Sequence, residues 1–187
     1  GDGPPEFTQP SCLGLAMHAQ QALEAFKQSL AVTAPEVQAV LSDPAERQEL
    51  YKLLVNEPLQ PLSLLVRAAF QKEVEYRDAL WEGTVEDSGE FYEGIYRCAF
   101  LLYRVGNPED IPSLWQAKHL NMDVGSSMGA EFFVGAGLHE SIAFIERAGL
   151  SESADIAEYI RGYFSQPDAM QWQEGWAEDM RTNIRDA

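Results

Sequence analysis

The segment from Arg97 to Ala117 constrains the fold more than any other part of the chain, because it specifies two helices and the turn between them. Its first half, RCAFLLYRVG, is almost continuously apolar and ends at Gly106, a residue type that commonly terminates helices. Asn107-Pro108 then supplies a favoured N-cap and a favoured first helical residue, and a second apolar stretch with Leu114 follows. The spacing predicts a helix–turn–helix unit.

This order of features resembles one repeat of the short bacterial HEAT-like type. The residues that carry the resemblance are Gly106, Asn107, Pro108, Ile111, Pro112, Leu114 and Trp115. The resemblance implies an α-helical scaffold that binds other macromolecules, and it names no partner. Parts of the pattern recur at Asp43-Pro44 and in residues 151–164, but a regular solenoid needs at least three copies at a fixed period. We therefore predict an irregular HEAT-like bundle, with a non-repetitive helical bundle as the alternative.

Helical periodicity runs through the rest of the chain, whereas sustained strand-like alternation is absent. Short loops between helices imply antiparallel neighbours. We therefore predict an all-α fold of about eight antiparallel helices, forming one domain over residues 11–187. We interpret residues 1–10 as a flexible arm or an expression remnant. The clearest predicted helices span residues 11–30, 62–81, 91–105, 130–147, 151–164 and 168–184, and residues 82–90 and 121–129 are predicted loops.

The charge balance limits the kinds of partner. Thirty acidic residues against thirteen Lys and Arg give a formal net charge of −17 among 187 residues, and no short window carries a basic cluster. Nucleic acids and anionic membranes are bound through clustered Lys and Arg, so neither is an expected partner. A field of this sign instead favours a basic protein.

The two cysteines and the apolar segments bear on the compartment. Cys12 and Cys98 lie in apolar helical patterns instead of a closely spaced framework, which favours buried, reduced thiols. A disulfide between them is the alternative. The apolar neighbours of Cys98 should raise its pKa and make it a poor nucleophile. Neither a membrane-spanning apolar run nor a signal-peptide pattern is present, so we predict a cytoplasmic protein.

Few side chains could support catalysis or metal binding. The candidates are His119, Asp123, Glu131, His139 and Glu140. An HExxH motif places two His one helical turn apart, whereas His119 and His139 are separated by a predicted loop. We therefore interpret these side chains as surface groups and predict no metal and no cofactor. The alternative is an enzyme that uses His119, Asp123, His139 and Glu140 as acid–base groups or metal ligands.

An acidic run in and beside the predicted loop at residues 82–90 is the best candidate for a binding surface. It comprises Glu82, Glu86, Asp87, Glu90 and Glu93, and Trp81, Phe91 and Tyr92 lie beside it. Such a run is either a solvated loop or a docking surface, in which carboxylates attract a basic partner and the aromatic side chains supply apolar contact. Near the C-terminus, Trp172 and Trp176 again lie beside acidic residues. These two tryptophans form either a second binding surface or part of the core.

The chain also resembles bacterial immunity proteins, which neutralise a cognate toxin, in its small size, strong acidity, helical scaffold and absence of a catalytic motif. That resemblance implies a cytoplasmic inhibitor that covers the basic active-site cleft of a toxin. A HEAT-like adaptor in a cellular complex is the second hypothesis, and the enzyme described above is the third.

Overall fold

Ten α-helices and the segments that connect them make up residues 11–187, the part of the chain that the computed structural model describes. This part contains no strand, which confirms the predicted all-α class. The predicted arm at residues 1–10 lies outside the described residues. The helices are α1 (Cys12–Ser29), α2 (Pro35–Leu41), α3 (Pro44–Leu54), α4 (Ser63–Glu82), α5 (Gly94–Val105), α6 (Ile111–Lys118), α7 (Met122–Ser127), α8 (Leu138–Ala148), α9 (Ser153–Phe164) and α10 (Ala169–Arg185).

Local capping signals set several helix starts where the sequence predicts them. The Ser11 hydroxyl accepts a hydrogen bond from the Gly14 N–H at 3.3 Å, at the start of α1. Asp43 does the same for the Ala45 N–H at 2.8 Å, and Pro44 is the first residue of α3. These side chains satisfy N–H groups that have no partner within the helix, so the two helix starts depend only on nearby residues.

Helix α5 lies at the centre of the packing. It contacts α3, α4 and α10, and its residues Phe100 and Leu101 have no exposed surface. The helix begins at Gly94, three residues after the predicted start at Phe91, because residues 91–93 belong to the preceding loop. The predicted central helix is therefore confirmed with a shorter N-terminal end.

The predicted helix over residues 130–147 is confirmed for residues 138–147, which belong to α8, and is wrong for residues 130–137. A 3-10 turn at Ala130–Phe133 and the helix α8 are separated by an irregular segment. Within that segment, Gly135 passes so close to the backbone carbonyl of Tyr103 in α5 that a Cβ atom would collide with it. Gly137 has a φ of 103°, which is incompatible with a helix. The chain is broken here because it contacts the backbone of α5.

The predicted loop at residues 121–129 also needs correction, because it contains the short helix α7. The Asn121 side chain caps this helix by accepting a hydrogen bond from the Val124 N–H at 3.1 Å. At the other end, the Lys118 ammonium donates to the carbonyls of Gly125 and Met128 at 2.6 and 2.8 Å. Helices as short as α7 show little periodicity in sequence, which is one reason why ten helices occur instead of the predicted eight.

The structure tests the predicted state of the two cysteines and the predicted lack of a membrane-spanning segment. Both cysteines are free thiols, but only Cys98 is buried, so the prediction that both lie in the core is wrong for the exposed Cys12. Separately, among residues 11–187, no helix combines the length and the apolar composition needed to cross a membrane.

Candidate partner-binding loop

The connection between α4 and α5, with the last residue of α4, forms an exposed loop that we call the acidic loop (residues 82–93). It begins where Gly83, with a φ of 72°, ends α4 in the left-handed conformation that glycine readily adopts. The Thr84 N–H then returns to the Ala79 carbonyl at 3.0 Å. Residues 81–90 are all exposed, so the predicted loop position is confirmed and its side chains face solvent.

The five carboxylates of the predicted run stay close in sequence and are all exposed. They are Glu82, Glu86, Asp87, Glu90 and Glu93. Within residues 11–187, no Lys, Arg or His forms an ion pair with any of them. Asp87 accepts a hydrogen bond from the Gly89 N–H at 2.9 Å, which shapes the turn without changing the charge. The loop therefore presents a negative charge that internal cations leave unpaired.

Apolar side chains accompany these charges. Trp81 is 58% exposed, Tyr92 is 44% exposed and Val85 is 40% exposed. Phe91, predicted as an apolar contact, is partly covered. Val85 was not predicted, although its isolation among polar residues is a visible signal. Large exposed apolar groups beside charged residues are common in protein-binding surfaces.

The C-terminal end of the acidic loop rests on Arg77 of α4. The Arg77 guanidinium lies 4.0 Å from the centre of the Tyr92 ring, and its Nη1 donates a hydrogen bond to the Tyr92 carbonyl at 2.7 Å. Its Nη2 lies 3.5 Å from the Tyr96 hydroxyl. Arg77 is only 5% exposed, so this contact forms a layer beneath the loop.

One turn earlier on α4, Glu73 forms the centre of a buried charged network. Its Oε1 accepts hydrogen bonds from Arg47 Nε at 2.9 Å and from the Tyr51 hydroxyl at 2.6 Å, both from α3. Glu73 is 1% exposed and Arg47 is 2% exposed. Arg47 Nη1 also donates to the Leu41 carbonyl at 2.8 Å. The network joins α3 to α4 directly below the start of α5.

Burial and the charges of the network shift the pKa values of Arg47, Tyr51 and the nearby thiol of Cys98. Burial raises the pKa of the Cys98 thiol well above its usual value, and the Glu73 carboxylate adds to the shift. Burial likewise raises the pKa of Tyr51. For Arg47, burial alone would lower the pKa, but attraction to Glu73 and their hydrogen bond raise it. Arg47 therefore remains charged, while the thiol and the phenol remain neutral.

Gly94 connects the network to the acidic loop. A Cβ atom at this position would lie 2.6 Å from Glu73 Oε2 and 2.8 Å from Gln48 Nε2. These atoms belong to side chains that are themselves buried, so they have little room to move. Only glycine lets the start of α5 approach the carboxylate this closely.

Arg97 extends the contacts from this point to the C-terminal helix. Its Nη1 donates to Gln48 Oε1 at 2.8 Å, and its Nε donates to Asn183 Oδ1 at 2.8 Å. Burial lowers the pKa of Arg97, and nearby Glu93 opposes that shift. Helices α3, α5 and α10 are thus tied together beside the end of the acidic loop.

The four residues of the enzyme alternative lie on or beside three different helices, α6, α7 and α8. The His119 ring lies against the Trp115 ring in a tilted arrangement with ring centres 4.6 Å apart, and its Nδ1 lies 2.8 Å from the Trp115 carbonyl. Asp123, His139 and Glu140 are exposed in the first turns of α7 and α8. Among residues 11–187, no three His, Cys, Asp or Glu side chains form a group able to hold a metal ion.

The two C-terminal tryptophans have separate environments. Trp176 packs edge-to-face against Phe100 and Tyr103, with ring centres 5.4 and 5.0 Å apart, so the core interpretation is correct for this residue. Trp172 is 46% exposed and borders an open groove on α10 that also contains Asp168 and Asp179. This groove is a second surface that combines an aromatic ring with carboxylates.

Comparisons with known proteins identify no relative, because no family model, no curated protein and no solved structure matches this chain. Function is therefore inferred from the residues themselves.

Proposed function

We propose that this protein binds a basic protein through the acidic loop, and that the partner is a toxin whose active-site cleft the loop covers. The observation that carries the proposal is that five exposed carboxylates without internal ion pairs share one loop with the exposed side chains of Val85 and Tyr92, and that the exposed Trp81 directly precedes this loop. The protein would act by occlusion and would itself catalyse no reaction.

The charge distribution supports a cationic partner. The net charge of −17 gives the whole molecule an attractive field for basic surfaces, and the acidic loop concentrates that charge. Complementary charge accelerates diffusional encounter and disfavours the wrong partners, while most of the binding energy comes from a few apolar or aromatic contacts. The acidic loop offers both kinds of group.

The chemistry of anionic substrates supports a toxin in particular. Enzymes that act on nucleic acids or nucleotides bind their substrates through positively charged clefts. An acidic loop anchored at its C-terminal end could enter such a cleft and compete with the substrate for the same cations. The helical, partly HEAT-like character of the sequence is consistent with a scaffold that presents one binding edge.

An adaptor in a cellular complex is the second candidate, and the groove beside Trp172 favours it. That groove provides an aromatic and acidic surface outside the acidic loop. An adaptor needs two separate binding surfaces, whereas an inhibitor needs one.

A salt-gradient pull-down with this protein as bait distinguishes these candidates. A single stoichiometric basic protein that elutes with rising salt, and whose activity is lost in the complex, is the expected result. Several subunits of one complex would favour the adaptor. An isolated basic protein that remains fully active when bound would contradict inhibition by occlusion.

The role of the acidic loop is tested by reversing Glu86, Asp87 and Glu90 to Lys. We expect the association rate with the captured protein to fall by about 10-fold or more at low salt, because steering depends on these charges. The matched control reverses the exposed Glu24, Glu75 and Glu158 instead, which changes the net charge equally but spares the loop.

The control variant should lose less than about 3-fold in association rate, since its charges are dispersed. Both variants should keep the helical circular-dichroism signal. Equal association rates for the two variants would show that net charge alone matters and would remove the acidic loop from the proposal.

A further inference from the structure

We infer that Arg77 is a positioning residue that holds Tyr92 as a fixed aromatic contact for a cationic partner. The inference rests on the proposed function, since it concerns how the acidic loop is made ready to bind. It assigns the buried arginine a role in recognition in addition to its contacts within the fold.

The contacts of Arg77 with Tyr92 involve both the backbone and the side chain of that residue. The guanidinium donates to the Tyr92 carbonyl at 2.7 Å and lies 4.0 Å from the centre of its ring. The first contact places the backbone, and the second limits the rotation of the side chain. Tyr92 nevertheless keeps 44% of its surface exposed, so the immobilised ring remains accessible to a partner.

The charge of Arg77 has no carboxylate partner within residues 11–187, because none lies within ion-pair distance of its guanidinium. Its other close groups are the rings and hydroxyl of tyrosines, with Tyr96 Oη at 3.5 Å. A buried arginine that is solely structural is usually paired with an acid. Here the charge faces Tyr92 of the acidic loop and Tyr96 of α5 instead.

The rest of the acidic loop is held in a different way. Its central turn has only local hydrogen bonds, from the Gly89 N–H to Asp87 at 2.9 Å and from the Glu90 N–H to Ser88 at 3.4 Å. The loop therefore combines a locally held centre, which carries most of the charge, with one end fixed by a long-range contact. A side chain fixed before binding loses less conformational freedom on association, which lowers the dissociation rate.

Arginine suits this role because its planar guanidinium can stack on a ring and donate a hydrogen bond at the same time. Lysine keeps the positive charge but has no planar group. Arg77→Lys therefore removes the positioning geometry while it leaves the electrostatic field of the protein unchanged.

Arg104→Lys is a matched control. Arg104 also donates to backbone carbonyls, to Val55 at 2.6 Å and Glu57 at 3.3 Å, but these carbonyls lie outside the acidic loop. The full-length variants are compared by hydrogen–deuterium exchange of residues 91–97, where N–H groups at the start of α5 donate to carbonyls at the end of the loop, and by titration with the peptide deca-arginine. We expect Arg77→Lys to speed exchange in this segment by about 10-fold and to weaken peptide binding by about 3- to 10-fold, whereas Arg104→Lys changes each by less than about 2-fold.

Variants of Tyr92 keep the test decisive if Arg77→Lys folds poorly. Tyr92→Phe retains the ring and the carbonyl and should bind deca-arginine like the wild type. Tyr92→Ala should weaken binding to the same extent as Arg77→Lys. Unchanged exchange in Arg77→Lys, or wild-type binding by Tyr92→Ala, would overturn the inference.

The triple reversal of Glu86, Asp87 and Glu90 separates this inference from the proposed function. If that variant binds deca-arginine as well as the wild type, the acidic loop is not a cation-binding surface and the proposed function fails. If it binds more weakly while Arg77→Lys and Tyr92→Ala do not, only the positioning role fails.

Discussion

The buried network around Glu73 and the acidic loop contain the same kind of group in opposite environments, although they meet at Gly94. In the network, one carboxylate is removed from water, and its Oε1 accepts hydrogen bonds from Arg47 and Tyr51. In the acidic loop, five carboxylates remain in water without ion pairs. Composition alone therefore does not show which charges are paired inside the fold and which remain unpaired at its surface.

The contacts of the basic side chains explain why many surface carboxylates have no ion pair. Several of them donate to neutral groups instead of carboxylates, including Arg77 to the Tyr92 carbonyl, Arg104 to the Val55 carbonyl and Lys118 to the Met128 carbonyl. These cations support turns and helix ends. Because they form no ion pairs with surface acids, local negative charge persists where acidic residues cluster.

The largest expected effect comes from removing the buried carboxylate. Glu73→Ala should lower the free energy of unfolding by about 3–5 kcal/mol, because it leaves the Arg47 charge buried without its partner. Glu86→Ala, the same change in the acidic loop, should alter it by less than about 0.5 kcal/mol. Urea denaturation at neutral pH measures both. Similar losses in the two variants would abolish the distinction between the regions.

The double variant Arg47→Met, Glu73→Leu tests whether the unpaired buried charge causes this loss of stability. Replacing both charges by apolar groups of similar volume should recover most of the stability lost in Glu73→Ala. No recovery would mean that the hydrogen bond from Tyr51 and the packing at Gly94 matter more than the buried charge.

A smaller effect is expected at the junction of the two regions. Gly94→Ala should cost about 1–3 kcal/mol, since the added methyl group collides with the Glu73 and Gln48 side chains. Gly175→Ala on α10 is the matched control, because a Cβ atom there meets no atom within 4 Å. That change should stabilise the protein by about 0.4–1 kcal/mol. Thermal melting of both variants tests this, and a loss of equal size at the two positions would contradict it.

The smallest effect concerns pH. Because the pKa of Cys98 is raised in the folded protein, its contribution to stability is complete below the pKa of the unfolded thiol, about 8.5. The contribution is lost as pH rises from there towards the raised folded value, by at most about 1.4 kcal/mol per pH unit. Urea denaturation between pH 8 and pH 10 should therefore show falling stability.

Cys98→Ala should reduce this slope, whereas Cys12→Ala, which removes the exposed thiol, should retain it. The raised pKa of Tyr51 acts in the same direction at higher pH. An unchanged slope in Cys98→Ala would place the alkaline sensitivity elsewhere.

Local signals explain how much of the fold the sequence predicts. Ser11 and Asp43-Pro44 act on their own helices, so those helix starts follow from neighbouring residues. The break at Gly135 depends instead on the backbone of Tyr103, which is distant in sequence. Such a contact leaves no periodic pattern, so the predicted helix over residues 130–147 failed there.

In the candidate site, too, some features follow from the local sequence and others depend on contacts between distant residues. Runs of exposed carboxylates are visible in sequence, so the acidic loop was predicted, whereas the supporting residues of α4 resemble ordinary surface charges. One signal could have revealed them. The buried positions Val66, Ala69 and Phe70 continue at helical spacing to Glu73 and Arg77. A charged residue on an apolar helical stripe indicates a buried partner.

The exposed carboxylates of the acidic loop also have a colloidal consequence. Two copies that approach loop to loop would bring ten like charges together, and at physiological ionic strength they would repel one another within roughly 8 Å. This repulsion should prevent self-association through the exposed apolar side chains of Trp81, Val85 and Tyr92. Concentrated solutions of the protein should therefore stay monodisperse. The apolar side chains should bind only a molecule that neutralises the neighbouring carboxylates.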